Sequence, residues 1–381
     1  MVFAAGGPRE RGRAYGSRAA DRVHRSIEIY ERVFAHYARL PWAEVRRRAA
    51  PFVDAIDAYD VQLLPELEGI AEGAGVEAED ILAVNLRTEI MFGLDARPAQ
   101  AAAKSPPKEC TAIGRRLDDG RVWIAQTWDW KPAVRDTCVV LVCAPHDRPG
   151  FVTVVEAGLW AKCGANEAGI GLSTNALQSS LDIGAPGVPF HAILRRVLTS
   201  ATFDEALDAV TYGPRASSAN YLVGHRDGRM VDLETAPGGP NDLFAQQGPA
   251  VVHANHFVWP MPPFQDLGLI DGEDSLHRHA TAAGAATTIE TLEALRSTLG
   301  SHEDPAGPIC VHGDPSLDPV EDYVTITAML ADLTGGTLAW TDGSPCRAAF
   351  EEHRIDELVS RARTTGLHRE PETLAPGHPA G

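Results

Sequence analysis

Near residue 97 the chain stops reading as helix and begins to read as sheet, and this switch constrains the fold more than any other feature of the sequence. Up to about residue 95, apolar side chains recur every three or four positions. Val23, Ile27, Tyr30, Phe34 and Tyr37 fall on one helical face, and Phe52, Ile56 and Tyr59 on a second. Pro41 and Pro51 punctuate these segments, and a third helix is expected over 78–92. The stretch from Arg97 to Lys108, built of Ala, Pro, Gln, Ser and Lys, has no period at all. After it come short strand-like runs at 110–116 and 121–128, joined by Asp118-Asp119-Gly120, which is a hairpin signal. Further strands are expected at 138–143, 151–155, 168–174, 219–225, 229–233, around Val251-Val252-His253, and at 323–330 and 336–340. Two helices follow residue 174, the second capped by Thr202 with Glu205 three residues on. A helical stretch is expected over 275–299, with Thr287 and Glu290 as a capping box and Gly300 as its stop. Hairpin-like strand pairs with helices clustered between them predict an α+β layered fold of mainly antiparallel sheets. The chain divides into a helical segment 1–109, a main domain 110–366 and a tail 367–381 whose Pro, Gly and Glu content predicts fraying.

A net charge of −18 argues against nucleic acid and against anionic membrane surfaces as partners. No uncharged apolar run approaches the roughly 20 residues needed to span a bilayer. The first residues lack a basic stretch followed by an apolar one, so no signal peptide is expected and the cytoplasm is the expected location. The six cysteines form no CxxC pair and predict buried thiols rather than a disulfide framework.

One of those cysteines, Cys110, opens the first strand directly after the aperiodic stretch. That layout suggests a precursor that cuts itself between Glu109 and Cys110. The new terminus would offer a thiol as nucleophile and, beside it, an α-amine with an ordinary pKa of roughly 7.7–8.0 as base. Residue type alone leaves open the plainer reading of a core thiol.

Motifs along the rest of the chain shift that balance. Gly7-Pro8-Arg9-Glu10 leads into Gly12-Arg13-Ala14-Tyr15-Gly16. Cys110-Thr111-Ala112 is followed by Gln126-Thr127-Trp128-Asp129-Trp130. Then come Gly169-Ile170-Gly171-Leu172-Ser173-Thr174-Asn175-Ala176-Leu177, Asn220-Tyr221-Leu222-Val223 with Asp232-Leu233-Glu234, and His253-Ala254-Asn255-His256-Phe257. In this order, from about residue 7 to 350, they resemble the acyl-coenzyme A:6-aminopenicillanic acid acyltransferase family, the C45 peptidase family of N-terminal nucleophile hydrolases. The resemblance implies a four-layer αββα sandwich, autoproteolysis between Glu109 and Cys110, and amide hydrolysis or acyl transfer through a thioester on Cys110. It implies no metal or prosthetic group.

Asp129, on the strand paired with that of Cys110, has a carboxylate suited to hold the Cys110 ammonium or a substrate amine. Asn255 is expected to donate an amide hydrogen bond to a tetrahedral oxyanion, an interaction worth ~3 kcal/mol, and Asn175 is a second donor candidate. Ser217 and Ser218 are expected on an exposed loop, with Ser218 kept as a candidate for polarising the amine or ordering the precursor. His253 and His256 stand at i, i+3 without the Glu of H-E-x-x-H, so no metal is expected there; they are expected to position Asn255. Two departures from the family pattern stand out. Glu109 occupies the place where well-known members have glycine, and Val311, next to His312, stands where a basic substrate-binding residue is expected. The anticipated partners are a small acyl amide or acyl donor and the chain's own cleaved N-terminal fragment. No cofactor is anticipated, although acyl-coenzyme A fits as a substrate and no phosphate-binding loop accompanies it. The competing readings are a non-catalytic binding protein of the same fold and a Cys–His thiol protease.

Overall fold

The computed structural model describes residues 1–93, 110–270 and 272–367. Among them, fourteen strands form two sheets. The first has eight strands in the order β1 (Val2–Gly6), β4 (Cys138–Pro145), β5 (Phe151–Glu156), β6 (Cys163–Asn166), β7 (Ile170–Ala176), β8 (Ala219–His225), β9 (Met230–Thr235) and β10 (Leu243–Gln246). The second has six, in the order β11 (Ala250–His253), β2 (Thr111–Arg116), β3 (Val122–Trp130), β12 (Val324–Asp332), β13 (Thr337–Thr341) and β14 (Phe350–Arg354). Every neighbouring pair is antiparallel except β1 with β4.

The helices are α1 (Pro8–Arg18), α2 (Ala20–Tyr37), α3 (Trp42–Ala49), α4 (Val53–Tyr59), α5 (Leu63–Ala74), α6 (Ala78–Asn85), α7 (Arg87–Met91), α8 (Phe190–Val197), α9 (Phe203–Thr211), α10 (Asp274–Ala286), α11 (Leu292–Leu299) and α12 (Ile355–Leu367). Three buried clusters define the layers. Ala112, Ile124, Val142, Val154, Leu222 and Met329 interlock between the two sheets. Ile113, Trp123 and Leu330 pack outward against Ala282, Ala286 and Leu295 of α10 and α11. On the far side Leu141, Phe151, Leu172 and Tyr221 pack against α8, α9 and the N-terminal helices. The result is the four-layer αββα sandwich that the motifs implied, because each strand buries alternate side chains on opposite faces.

The N-terminal helices share that core. Helices α1 and α5 touch backbone to backbone through Gly12, Gly16, Gly69 and Gly73: a Cβ on Gly12 would stand 2.1 Å from the Glu66 carbonyl oxygen, and one on Gly16 2.1 Å from that of Ile70. At the same crossing Glu66 is buried between two arginines, Arg11 Nε at 2.7 Å and Arg195 Nη2 at 2.8 Å from Oε2. Glu156 of β5 accepts from Tyr30 at 2.6 Å and pairs with Arg87 at 2.9 Å.

The structure revises several boundaries. The helix expected over 78–92 breaks at Leu86 into α6 and α7. The stretch 275–299 is two helices; Thr291, which accepts from Ala294 N at 3.1 Å, caps the second, while Thr287 ends the first. The cap at Thr202 is as expected, accepting from Glu205 N at 3.1 Å. Four strands and the helices α1 and α12 were not anticipated, and α3 and α5 were not singled out within the stretch read as helical. β1, β6 and β10 have only four or five residues, too few to display a period. β14 is a charged edge strand, and α12 buries only one narrow face. Among the described residues no helix is long and apolar enough to cross a membrane. The Arg97–Lys108 stretch, Glu109 and the tail after Leu367 lie outside the described residues.

Candidate active site

Cys110 is buried at the head of β2. Its carbonyl oxygen accepts two hydrogen bonds, from Asn175 Nδ2 at 2.8 Å and from Arg278 Nη1 at 2.9 Å. The first donor comes from β7 in the facing sheet and the second from α10 in the outer layer, so two other layers meet the chain at this residue. The Thr111 amide donates to Thr127 Oγ1 at 3.2 Å, and registers Thr111 with Thr127.

Asp129 lies one strand away, fully buried on β3 opposite Thr325 of β12. The Thr325 hydroxyl donates to its Oδ1. Cys110 and Asp129 together line a small cleft, about 20 Å³, that is otherwise walled by Trp128, Trp130, Phe92, Phe190, Arg87 and Lys162. The Lys162 ammonium sits 4.8 Å from the Trp128 ring centre. Asp129 is therefore a wall of the cleft.

Asn255 follows β11 in the turn beside the same site. Its Nδ2 donates to the Ala176 carbonyl at 3.0 Å and its Oδ1 accepts from Arg278 Nη2 at 3.0 Å. An amide nitrogen carries two hydrogens, so one bond to Ala176 leaves a second donor on Asn255. Asn175 is more fully committed: Nδ2 also lies 3.5 Å from the His253 carbonyl, and its Oδ1 accepts from Asn220 at 3.3 Å.

The two histidines separate. The His256 Nδ1 meets Ser275 Oγ at 2.8 Å, and the same hydroxyl accepts from the Asn255 amide at 2.7 Å, so His256 does help to place Asn255. Burial, with His253, His279 and Arg278 nearby, pushes His256 down to about 3. His253 faces elsewhere: its two ring nitrogens meet the Ala254 carbonyl and Glu234 Oε1, both at 2.7 Å. Burial opposes its charge, but Asp232 and Glu234 outweigh that and hold its pKa above the ordinary imidazole value. Burial in turn pushes Asp232 up to about 6.

Ser217 and Ser218 are buried, not exposed. Ser217 donates to Glu89 at 2.9 Å, and Ser218 to Asp182 at 2.7 Å. Both acids are themselves buried, and that burial raises their pKa values. Two hydroxyls beside sequestered carboxyls cannot afford solvent, which is why the loop turns inward. Val311 is buried against Thr325 rather than facing the cleft.

Arg278 is the residue that sequence reading missed. Its guanidinium bonds the Cys110 carbonyl, Thr111 Oγ1 at 3.1 Å, Asn255 Oδ1 and Asp274 Oδ2 at 3.1 Å. The only available signal was an arginine within the expected helix 275–299.

A model of the family described as acyl-coenzyme A:6-aminopenicillanic acid acyl-transferase matches residues 116–315, more than half of the chain. The chain is 28% identical over 306 residues to the acyl-coenzyme A:6-aminopenicillanic-acid-acyltransferase 40 kDa form of Emericella nidulans, covering 80% of this chain and 82% of that protein. Among solved structures, penicillin V acylase from Agrobacterium tumefaciens superposes with a TM-score of 0.38 at 16% identity, over 66% of this chain and 87% of that one. A variant of the conjugated bile acid hydrolase from Clostridium perfringens gives 0.43 at 12%, over 66% and 94%.

Proposed function

This chain belongs to the acyl-coenzyme A:6-aminopenicillanic acid acyl-transferase family, an enzyme of acyl transfer or amide hydrolysis, and from that premise we propose that it is a self-processing enzyme whose nucleophile is the thiol of Cys110. The observation that carries the reading is the placement of Cys110: buried at a strand head, its carbonyl held from two layers, in one cleft with Asp129.

In the proposed maturation the Cys110 sulfur adds to the Glu109 carbonyl carbon. The Glu109–Cys110 C–N bond breaks, and the α-nitrogen of Cys110, which keeps its own hydrogen, takes the thiol proton to become a free amine. Water then hydrolyses the resulting thioester and frees the Glu109 carboxylate. In turnover the α-amine takes the thiol proton, the thiolate adds to a substrate acyl carbon, and the amine leaving group takes that proton back as the C–N bond breaks. The unspent amide hydrogen of Asn255 is the preferred oxyanion donor, with Asn175 acting mainly to hold Cys110. Asp129 neutralises the ammonium form of the new terminus. Water or a second amine resolves the thioester, giving hydrolysis or transfer. The proposed substrate is a small N-acyl amine, and an acyl-coenzyme A thioester can load the same thiol.

The Cys–His alternative loses its first candidate, because both ring nitrogens of His253 are engaged by Glu234 and Ala254. The binding-protein alternative is separated by experiment. Intact mass and N-terminal sequencing of purified wild type should give two pieces, the larger beginning at Cys110, while Cys110→Ala stays whole. A wild type that remains uncut yet turns over an amide would overturn the self-processing mechanism.

A further inference from the structure

Four metal-ligand side chains meet at a point that the proposed mechanism does not use. His302 lies in the loop after α11, Cys310 and His312 on the approach to β12, and Cys346 in the turn between β13 and β14. One donor atom from each lies within 4.8 Å of all the others. His302 Nε2 is 3.1 Å from His312 Nε2, which is 3.3 Å from Cys346 Sγ, and the two sulfurs are 3.6 Å apart. Tetrahedral zinc, with Zn–N near ~2.05 Å and Zn–S near ~2.3 Å, has edges of about 3.3 Å for N–N, about 3.6 Å for N–S and about 3.8 Å for S–S. Each of these three edges therefore lies within about 0.3 Å of the zinc value, and the remaining edges lie within 4.8 Å. The sulfur separation is well beyond the ~2.05 Å of a disulfide. The two imidazole rings lie at 19° to one another with their centres 5.0 Å apart.

We propose that His302, Cys310, His312 and Cys346 bind one Zn²⁺ as a structural site. Two sulfurs and two imidazoles suit zinc and exclude calcium and magnesium, which need oxygen. Four protein ligands leave no open position, so the ion does not activate water. Binding displaces two thiol protons, and the two thiolates balance the dication. The consequence reaches the cleft. Between Cys310 and His312, Val311 exchanges two hydrogen bonds with Thr325: its amide donates to Oγ1 at 2.8 Å, and its carbonyl accepts from the Thr325 amide at 2.9 Å. Thr325 Oγ1 in turn donates to Asp129. The zinc ties the loop that carries Val311 to the β13–β14 turn, and so steadies the hydroxyl that orients Asp129. With no CxxC spacing among them, these four residues carry no metal signature in the sequence.

The test is metal content, read independently of turnover. Tag-free wild type, purified without chelator and incubated with equimolar Zn²⁺, should hold about one zinc per chain by elemental mass spectrometry. Cobalt in its place should show a thiolate-to-metal charge-transfer band. Cys346 is exposed, so Cys346→Ala should fold; it should bind zinc at least about ten-fold more weakly in chelator competition. Cys346→His, which restores a fourth ligand, should regain zinc with a weaker cobalt charge-transfer band. The site is refuted by a wild type that binds no stoichiometric zinc, by a Cys310–Cys346 disulfide in the fresh protein, or by Cys346→Ala binding zinc as tightly as wild type.

Discussion

At the scale of single residues, Arg278 is the hub of the candidate site's hydrogen bonds. A planar fork can reach the Cys110 carbonyl, Thr111 and Asn255 at once, whereas an ammonium on a flexible stem cannot. Arg278→Lys keeps the charge and should keep the fold, but it releases the carbonyl and Asn255 together. Misplacement by about an ångström costs rate on the order of 100-fold. Amide turnover and self-cleavage should both slow by that order, with the unfolding midpoint as the control. Wild-type rates in this variant would remove Arg278 from the site. The outcome also marks what could be read from sequence. Cys110, Asp129, Asn175 and Asn255 were legible because their residue types carry chemistry at recognisable places, and the structure gathers them. Arg278 was not, since an arginine inside a helix pattern looks like a solvated face until a partner layer buries it. The buried roles of Ser217 and Ser218 were hidden for the same reason: their partners Glu89 and Asp182 are remote in sequence.

At the scale of elements, Glu66 of α5 ties three helices together, clasped by Arg11 of α1 and Arg195 of α8 where α1 and α5 meet on glycine. Burial alone would raise the Glu66 pKa, but Arg195 and Arg11 together hold it below its ordinary 4.5. A depressed carboxyl contributes stability above its unfolded value and loses it as the pH falls through the folded one. Glu66→Gln strands two buried cations and should cost roughly 3–5 kcal/mol at pH 7. The gap from wild type should narrow in acid, below the ordinary carboxyl range, where wild type also loses its anion. Denaturant unfolding at the two pH values checks both the size and the sign; a gap that widens in acid would contradict the assignment. Elements with a long period, such as α2 or β3, were visible in the sequence. β1 and β10 were not, because four or five residues cannot show alternation and their pairing is decided by distant strands.

At the scale of the whole molecule, the segment before Cys110 is not an appendage. It supplies β1 to the larger sheet, Tyr15 to the Gly158 amide at 3.0 Å, and Arg11 to the Glu66 clasp. If the chain cuts itself as proposed, the two pieces should co-elute in native gel filtration and separate only in denaturant. Loss of the small piece on a native column would show that these contacts do not hold it. The parallel pairing of β1 with β4 then acquires another meaning. In the intact chain β1 covers the β4 edge at a probability set by covalent linkage, whatever the dilution. Once the linkage is cut, that cover becomes a bound ligand whose occupancy obeys mass action. Each departure uncovers a row of unpaired amides and carbonyls that a neighbouring molecule can adopt. The shelf life of the matured enzyme would then depend on its concentration, and adding back the small fragment in excess would extend it.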